Sequence, residues 1–181
     1  MQDCLALSSD HVGAMLLTRL LSVLLLLGLS LVSSGCATSK KKDYPIALVR
    51  FMIESSGAET GGVVRLPRSG TTIVVAPKLH FSEFDIMNCS VVDNEFGKSL
   101  VFQLTSRARL DLFRFTASNQ GLRIITTLNG VAIGAQRIDA PLGQGFIITY
   151  VEIDDSELEE LAKNITRTSL DAQEELEKKT G

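Results

Sequence analysis

Over most of the chain, apolar and polar residues alternate with a period near two, and a helical period appears in two places. Residues 45–54 (Pro-Ile-Ala-Leu-Val-Arg-Phe-Met-Ile-Glu) read as a strand, and Ser55 to Gly62 as a Gly/Ser loop. Two β-branched runs, Val63–Leu66 and Thr71–Val75, flank Pro67-Arg68-Ser69-Gly70, which predicts a hairpin. Phe81 to Ile86 predicts one helical turn with Ser82 as its cap. Cys89–Val92 and Ser99–Leu104 read as strands on either side of Asp93-Asn-Glu-Phe-Gly97. Over 106–118 the period changes: Leu110, Phe113 and Ala117 fall at i, i+3 and i+7, with Arg107, Arg109, Asp111 and Arg114 largely between them. That spacing predicts an amphipathic helix burying the Leu110–Phe113–Ala117 stripe, stopped by Gly121 in a left-handed conformation.

Leu122–Leu128 reads as the next strand, and Asn129-Gly130 is a strong two-residue hairpin signal leading into Val131–Ile133. Pro141-Leu-Gly-Gln-Gly145 reads as a turn before a strand over Phe146–Ile153. Ser156 and Glu159 are three residues apart, the spacing of a capping box, and open a helix with Leu158, Leu161, Ala162 and Ile165 on one face. Beyond Ile165 the chain turns polar, so 166–181 is expected to be a polar helical or frayed tail. These elements predict a single α+β domain over 44–165, mainly antiparallel sheet packed against two amphipathic helices.

The N-terminal segment carries a different pattern. Residues 20–32 form an uncharged apolar run, shorter than the roughly 20 residues of a membrane span and suited to the core of an export signal. Arg19 supplies the positive flank, and Ser33-Ser-Gly35-Cys36 follows directly. Small residues before a cysteine match the lipobox of bacterial lipoproteins. The peptidase cleft accepts only small side chains, and the Cys36 thiol must be reachable for diacylglyceryl transfer. The expectation is a signal peptide over 1–35, cleavage between Gly35 and Cys36, and a lipidated tether over 36–43 carrying palmitate-type chains. Asp3 and Asp10 are unusual for a signal, and Met15-Leu-Leu-Thr-Arg19 makes a more typical start. Ala37 rather than Asp after Cys36 favours the periplasmic face of the outer membrane over the inner. The membrane is thus an expected partner, through the lipid.

Composition narrows the chemistry. The 181 residues carry a net charge of -3, with 22% charged and 45% hydrophobic positions, which argues against a nucleic-acid partner. The mean hydropathy of +0.20 owes much to the leading apolar run. Of Cys4, Cys36 and Cys89, processing would leave Cys89 as the one free thiol, so no intrachain disulfide is expected. No His/Cys cluster has metal-ligand spacing, no Gly-x-Ser-x-Gly appears, and no cofactor, catalytic residue or small-molecule substrate is expected. His80 and Cys89 form a conceivable base–nucleophile pair, read here as a loop histidine and a core cysteine. Asp154, Asp155, Glu157, Glu159 and Glu160 form an acidic cluster, either a cation site or a solvated first helical turn favoured by the helix dipole. Arg107, Arg109 and Arg114 are partner contacts or a solvated face. Asn88-Cys-Ser90 and Asn164-Ile-Thr166 match glycosylation sequons that the bacterial lipobox makes accidental.

One ordered series of features remains: Phe102-Gln-Leu-Thr105, Phe115-Thr-Ala-Ser-Asn119, Gly121-Leu-Arg-Ile-Ile125, Leu128-Asn-Gly130, Gly134-Ala135, Ile138, Pro141-Leu-Gly-Gln-Gly145 and Glu157-Leu-Glu-Glu-Leu-Ala162. From Phe81 to about Ile165 this series resembles the head subdomain of the first periplasmic domain of SecD and SecDF preprotein-translocase subunits. Two positions depart from that family: Asn129 stands where it has Asp, and Gln136 where it has Pro. The resemblance implies a non-catalytic α+β head in contact with unfolded or translocating polypeptide during export or envelope assembly. It does not carry over proton-driven translocation, which needs membrane helices. A structural or adaptor lipoprotein binding one folded envelope partner is the alternative. An enzyme built around His80 and Cys89 is the third possibility.

Overall fold

The computed structural model describes residues 42–57, 61–95 and 97–180; Gly35, Cys36 and the signal segment lie outside them. Along the chain run β1 (Val49–Ile53), β2 (Gly62–Arg65), β3 (Thr72–Val75), β4 (Ile86–Asn94), β5 (Gly97–Leu104), α1 (Ser106–Ser118), β6 (Arg123–Leu128), β7 (Val131–Arg137), β8 (Phe146–Tyr150) and α2 (Leu158–Thr180). The strands form two antiparallel sheets, β1-β6-β7 and β4-β5-β8, and a β2-β3 hairpin. The architecture is α+β, antiparallel sheet packed with two helices.

β6 is buried on both faces, which its run Ile124-Ile-Thr-Thr127 suits. Ile124 joins Val49, Phe51, Ile53 and Ile133 in the main core, whereas Ile125 and Ala132 face Leu66, Ile73 and Val75 of the hairpin. The β4-β5-β8 sheet buries one face, with Cys89, Leu100, Phe102 and Ile147 turned inward. Phe51 and Phe102 meet edge to face, ring centroids 5.1 Å apart, and join the two sheets through the core. Burying each such ring is worth about 1.5–3 kcal/mol.

The sheets are also stitched along the chain. Gly134 of β7 bridges Val151, and the amide of Glu152 donates to the Ile133 carbonyl at 2.7 Å. A Cβ on Gly134 would lie 2.3 Å from the Tyr150 carbonyl oxygen, so only glycine permits this approach. Asn129 and Gly130 turn β6 into β7 with φ of 49° and 85°. Asn129 also binds the entering chain: its Oδ1 accepts from Leu48 N at 2.9 Å and its Nδ2 donates to Ile46 O at 3.2 Å. An ionised aspartate has no donor for the second bond, which accounts for asparagine here.

Four sequence expectations change. α1 has the expected limits but buries Ala108, Leu112 and Thr116, leaving Leu110 and Phe113 55% and 48% exposed. Phe115, at the margin of the buried stripe, packs on Phe81, and Thr116 Oγ1 accepts from Leu142 N at 2.9 Å; these contacts turn the helix. At α2, Asp154 is the cap in place of Ser156: its Oδ1 accepts from both the amide and the hydroxyl of Ser156 at 3.0 Å, and a short 3-10 turn precedes the helix. Glu159 sits exposed in the first helical turn and closes no capping box with Ser156. Finally, α2 stays packed beyond Ile165. Thr168 and Ser169 are buried, Thr168 Oγ1 accepts from Ala47 N at 3.1 Å, and Gln173 donates to the Ile86 carbonyl at 2.8 Å. The wholly exposed stretch begins only at Glu174. The domain likewise begins before residue 44, because Lys42 of the expected tether pairs with Asp171 at 3.3 Å and Glu175 at 3.5 Å.

Candidate functional site

Polypeptide can be bound by pairing with a free strand edge or by a groove lined with side chains. Most edges of the two large sheets are occupied. Beside β1, Phe51 N donates to Phe81 O at 2.8 Å and Ala76 N to Ile53 O at 2.8 Å. On the free side of β8, Ile148 N donates to Gln136 Oε1 at 3.1 Å, so this glutamine covers part of an edge. Along β4, Thr166 Oγ1 accepts from Cys89 N at 2.9 Å and Gln173 covers the Ile86 carbonyl. Among the described residues, no hydrogen bond covers the outer edge of β4 from Ser90 to Asn94, beside the exposed Val92.

A groove lies between the entering chain and the first turns of α2. Pro45, Leu128, Ile153 and Leu161 make its apolar surface, Asp154, Glu157 and Glu160 its acidic rim, and Asn164 is its buried lining residue; its volume is about 430 Å³. Asn164 is 7% exposed, and its amide has no hydrogen-bond partner among the described residues. The amide and hydroxyl of Ser156 hold the Asp154 carboxyl below its ordinary range. Glu157 and Glu160, by contrast, make no ion pair among the described residues. The acidic cluster is therefore part helix cap and part groove rim. Among the described residues, no group of His, Cys, Asp and Glu could hold a metal ion.

His80 and Cys89 occupy different environments. Cys89 is buried beneath α2, and burial pushes its thiol up to about 12, far from a thiolate at neutral pH. His80 stacks on Phe115, ring centroids 4.2 Å apart, and lines a second cavity of about 310 Å³ with Glu54, Lys78 and Asn119. Cys89 is not among the lining residues of that cavity. Glu54 itself is held by Arg123, whose Nη2 and Nε lie 2.6 and 2.9 Å from its carboxylate oxygens.

Two apolar surfaces face outward. One is the outer face of β4-β5-β8, where Val92, Phe146, Ile148 and Tyr150 are 38–44% exposed. The other is the Leu110–Phe113 side of α1, next to Arg107 and Arg114, the latter 3.9 Å from Asp111. Sequence reasoning missed Asn164 as a groove residue, because within the chain it reads only as a sequon. A polar residue spaced among Leu161, Ala162 and Ile165 on the helix was the available signal. Among the described residues no helix is long and apolar enough to cross a membrane.

No family model and no curated protein matches the sequence. Solved structures do share its fold. SecDF, a membrane component that enhances protein export, aligns over 69% of this chain and 64% of its own, with a TM-score of 0.54 and 18% identity. SecDF in a super-membrane-facing form aligns over 68% of this chain and 19% of its own, with a TM-score of 0.55 and 21% identity. The chain thus spans less than two thirds of either SecDF chain it matches. At such identities the likeness is one of fold, that of a SecD-like periplasmic head subdomain.

Proposed function

We propose that this chain is a lipid-anchored, extracytoplasmic interaction domain that contacts unfolded or translocating polypeptide during export or envelope assembly. The fold shared with SecDF, a component that enhances protein export, is the observation that carries this reading. The uncovered half of β4 supplies main-chain groups for an added strand, and the groove beside α2 supplies side-chain contacts. Neither needs catalysis, and the buried Cys89 thiol is poorly placed for it. The signal over 1–35 and lipid on Cys36 would hold the domain at the periplasmic face of the outer membrane.

The test is capture of chemically unfolded polypeptides by the Cys36→Ser protein, compared with a control domain of similar size and charge. Enrichment of many unfolded chains is expected; no enrichment over the control would end the reading. The second reading, an adaptor for one folded envelope partner, is favoured by the apolar outer face of β4-β5-β8. Crosslinking in cells separates the two: one dominant product marks an adaptor, a broad distribution marks a polypeptide-binding head.

A further inference from the structure

We infer that the groove beside α2 is a binding site for extended polypeptide in which apolar side chains alternate with lysine or arginine. The inference rests on the polypeptide-binding reading above and specifies which chains are bound and where.

Asn164 is the starting observation. The residue is 7% exposed, yet its amide is not sealed off: it opens on the groove and pairs with no other described residue. It lines the groove together with Pro45, Leu128 and Leu161. A side-chain amide offers one carbonyl acceptor and an N–H donor pair, the same complement as a peptide unit. It can therefore accept from and donate to the main chain of an extended segment lying along the groove. The volume of about 430 Å³ is within the range of ligand clefts. It is a slot for a few side chains rather than a folded surface.

The rim selects among chains. Glu157 ends the 3-10 turn before α2 and Glu160 lies in the first turn of α2, and both line the groove. The first helical turn favours carboxylates in any case, so these acids alone would not call for a ligand. Their place above an apolar surface and beside an unpartnered amide does. Arg68 is the cation acting on Asp154, whereas Glu157 and Glu160 make no ion pair among the described residues. Lysine and arginine fit this arrangement in both parts, their stems against the apolar surface and their charges at the rim. An acidic segment would meet repulsion there.

The test is fluorescence anisotropy with the full chain in non-ionic detergent and three labelled nonapeptides. One alternates valine with arginine, one valine with serine and one valine with glutamate. The basic peptide is expected to bind roughly tenfold tighter than the serine peptide, and the acidic one more weakly than either. Glu157→Gln with Glu160→Gln should remove the preference while leaving the serine peptide unchanged. Asn164→Leu, close in volume and free of the lone amide, should keep the fold yet weaken all three severalfold. Equal binding of the three peptides, or a preference that survives the rim substitutions, overturns the inference. If no peptide binds while unfolded chains are still captured, the groove is wrong and the broader function stands. If neither is bound, both fail.

Discussion

The hydroxyl oxygens of Thr126 and Thr149 lie 2.6 Å apart, fully buried, one on β6 and the other on β8. They link the two large sheets through a buried polar contact, close to Gly134, whose absent side chain lets the strands approach. One hydroxyl donates and the other accepts, so removing either leaves a buried hydroxyl without this partner, whereas removing both leaves none.

Thr149→Val should therefore cost about 1–3 kcal/mol by leaving the Thr126 hydroxyl buried without its partner. Thr126→Val should behave alike. The double substitution should cost less than the sum of the two, read as a coupling term in urea denaturation. Additive losses would show that the contact has no energetic weight.

Gly134→Ala tests the stitch itself. The added methyl would meet the Tyr150 carbonyl oxygen at 2.3 Å and Thr149 Cγ2 at 2.6 Å, and neither belongs to a long flexible side chain. A loss of about 3 kcal/mol is expected, at the upper end of overpacking costs. A denaturation midpoint equal to wild type would contradict the close approach.

At the start of α2 the cap assignments differ in outcome. Asp154→Ala should lower the thermal midpoint by a few degrees, because Asp154 Oδ1 accepts both Ser156 bonds. Ser156→Ala removes only the hydroxyl bond and should move the midpoint less. The reverse order would restore Ser156 as the cap.

The Glu54–Arg123 pair gives a pH signature. Hydrogen bonds from Arg123 hold the Glu54 carboxyl below its ordinary 4.5, so the unfolded chain takes up the proton first. Its stabilisation is complete above that value and fades as pH falls through the folded value. Glu54→Gln should cost about 1–2 kcal/mol near neutral pH, and the gap to wild type should narrow in acid. A gap constant from neutral to acid pH would rule out the ionic origin.

For the anchor, Cys36→Ser should abolish palmitate labelling and detergent partitioning while the circular dichroism of the domain is unchanged. One acyl chain binds membranes only marginally and two or more hold stably, so partial acylation would show as intermediate partitioning. Wild-type protein that takes up no label would contradict the lipobox reading.

The strands were legible because β-branched runs and the Asn129-Gly130 pair leave few other options. The limits of α1 were legible from the change of period at residue 106 and from the stop at Gly121. Its buried face was not. Leu110–Phe113–Ala117 and Ala108–Leu112–Thr116 are competing stripes on one helix, and periodicity cannot rank them. Contacts from Phe81 and Leu142, distant in sequence, decide. The polar stretch after Ile165 misled for a related reason. Thr168 and Ser169 are buried by packing along the entering chain, which hydrophobic patterning does not register. Asp154 and Ser156 both have cap chemistry, and the 3-10 turn gives the position to the earlier residue. The groove needs Pro45 and Leu128 beside α2, a neighbourhood only the fold creates.

Lys42 holds the beginning of the domain against Asp171, where Tyr44 also donates to the same carboxylate at 2.5 Å. The strap is thus fastened to the far half of α2, while the groove is built on its near half. With a rise of 1.5 Å per residue, Glu160 stands about 16 Å along the helix axis from Asp171. Between the two, Pro45 follows Lys42 by three residues and lines the groove, so the entering chain runs from the middle of α2 to the groove wall. Lys42 and Tyr44 act as a clasp: by holding the entering chain to Asp171 they keep Pro45 in place as a wall of the groove.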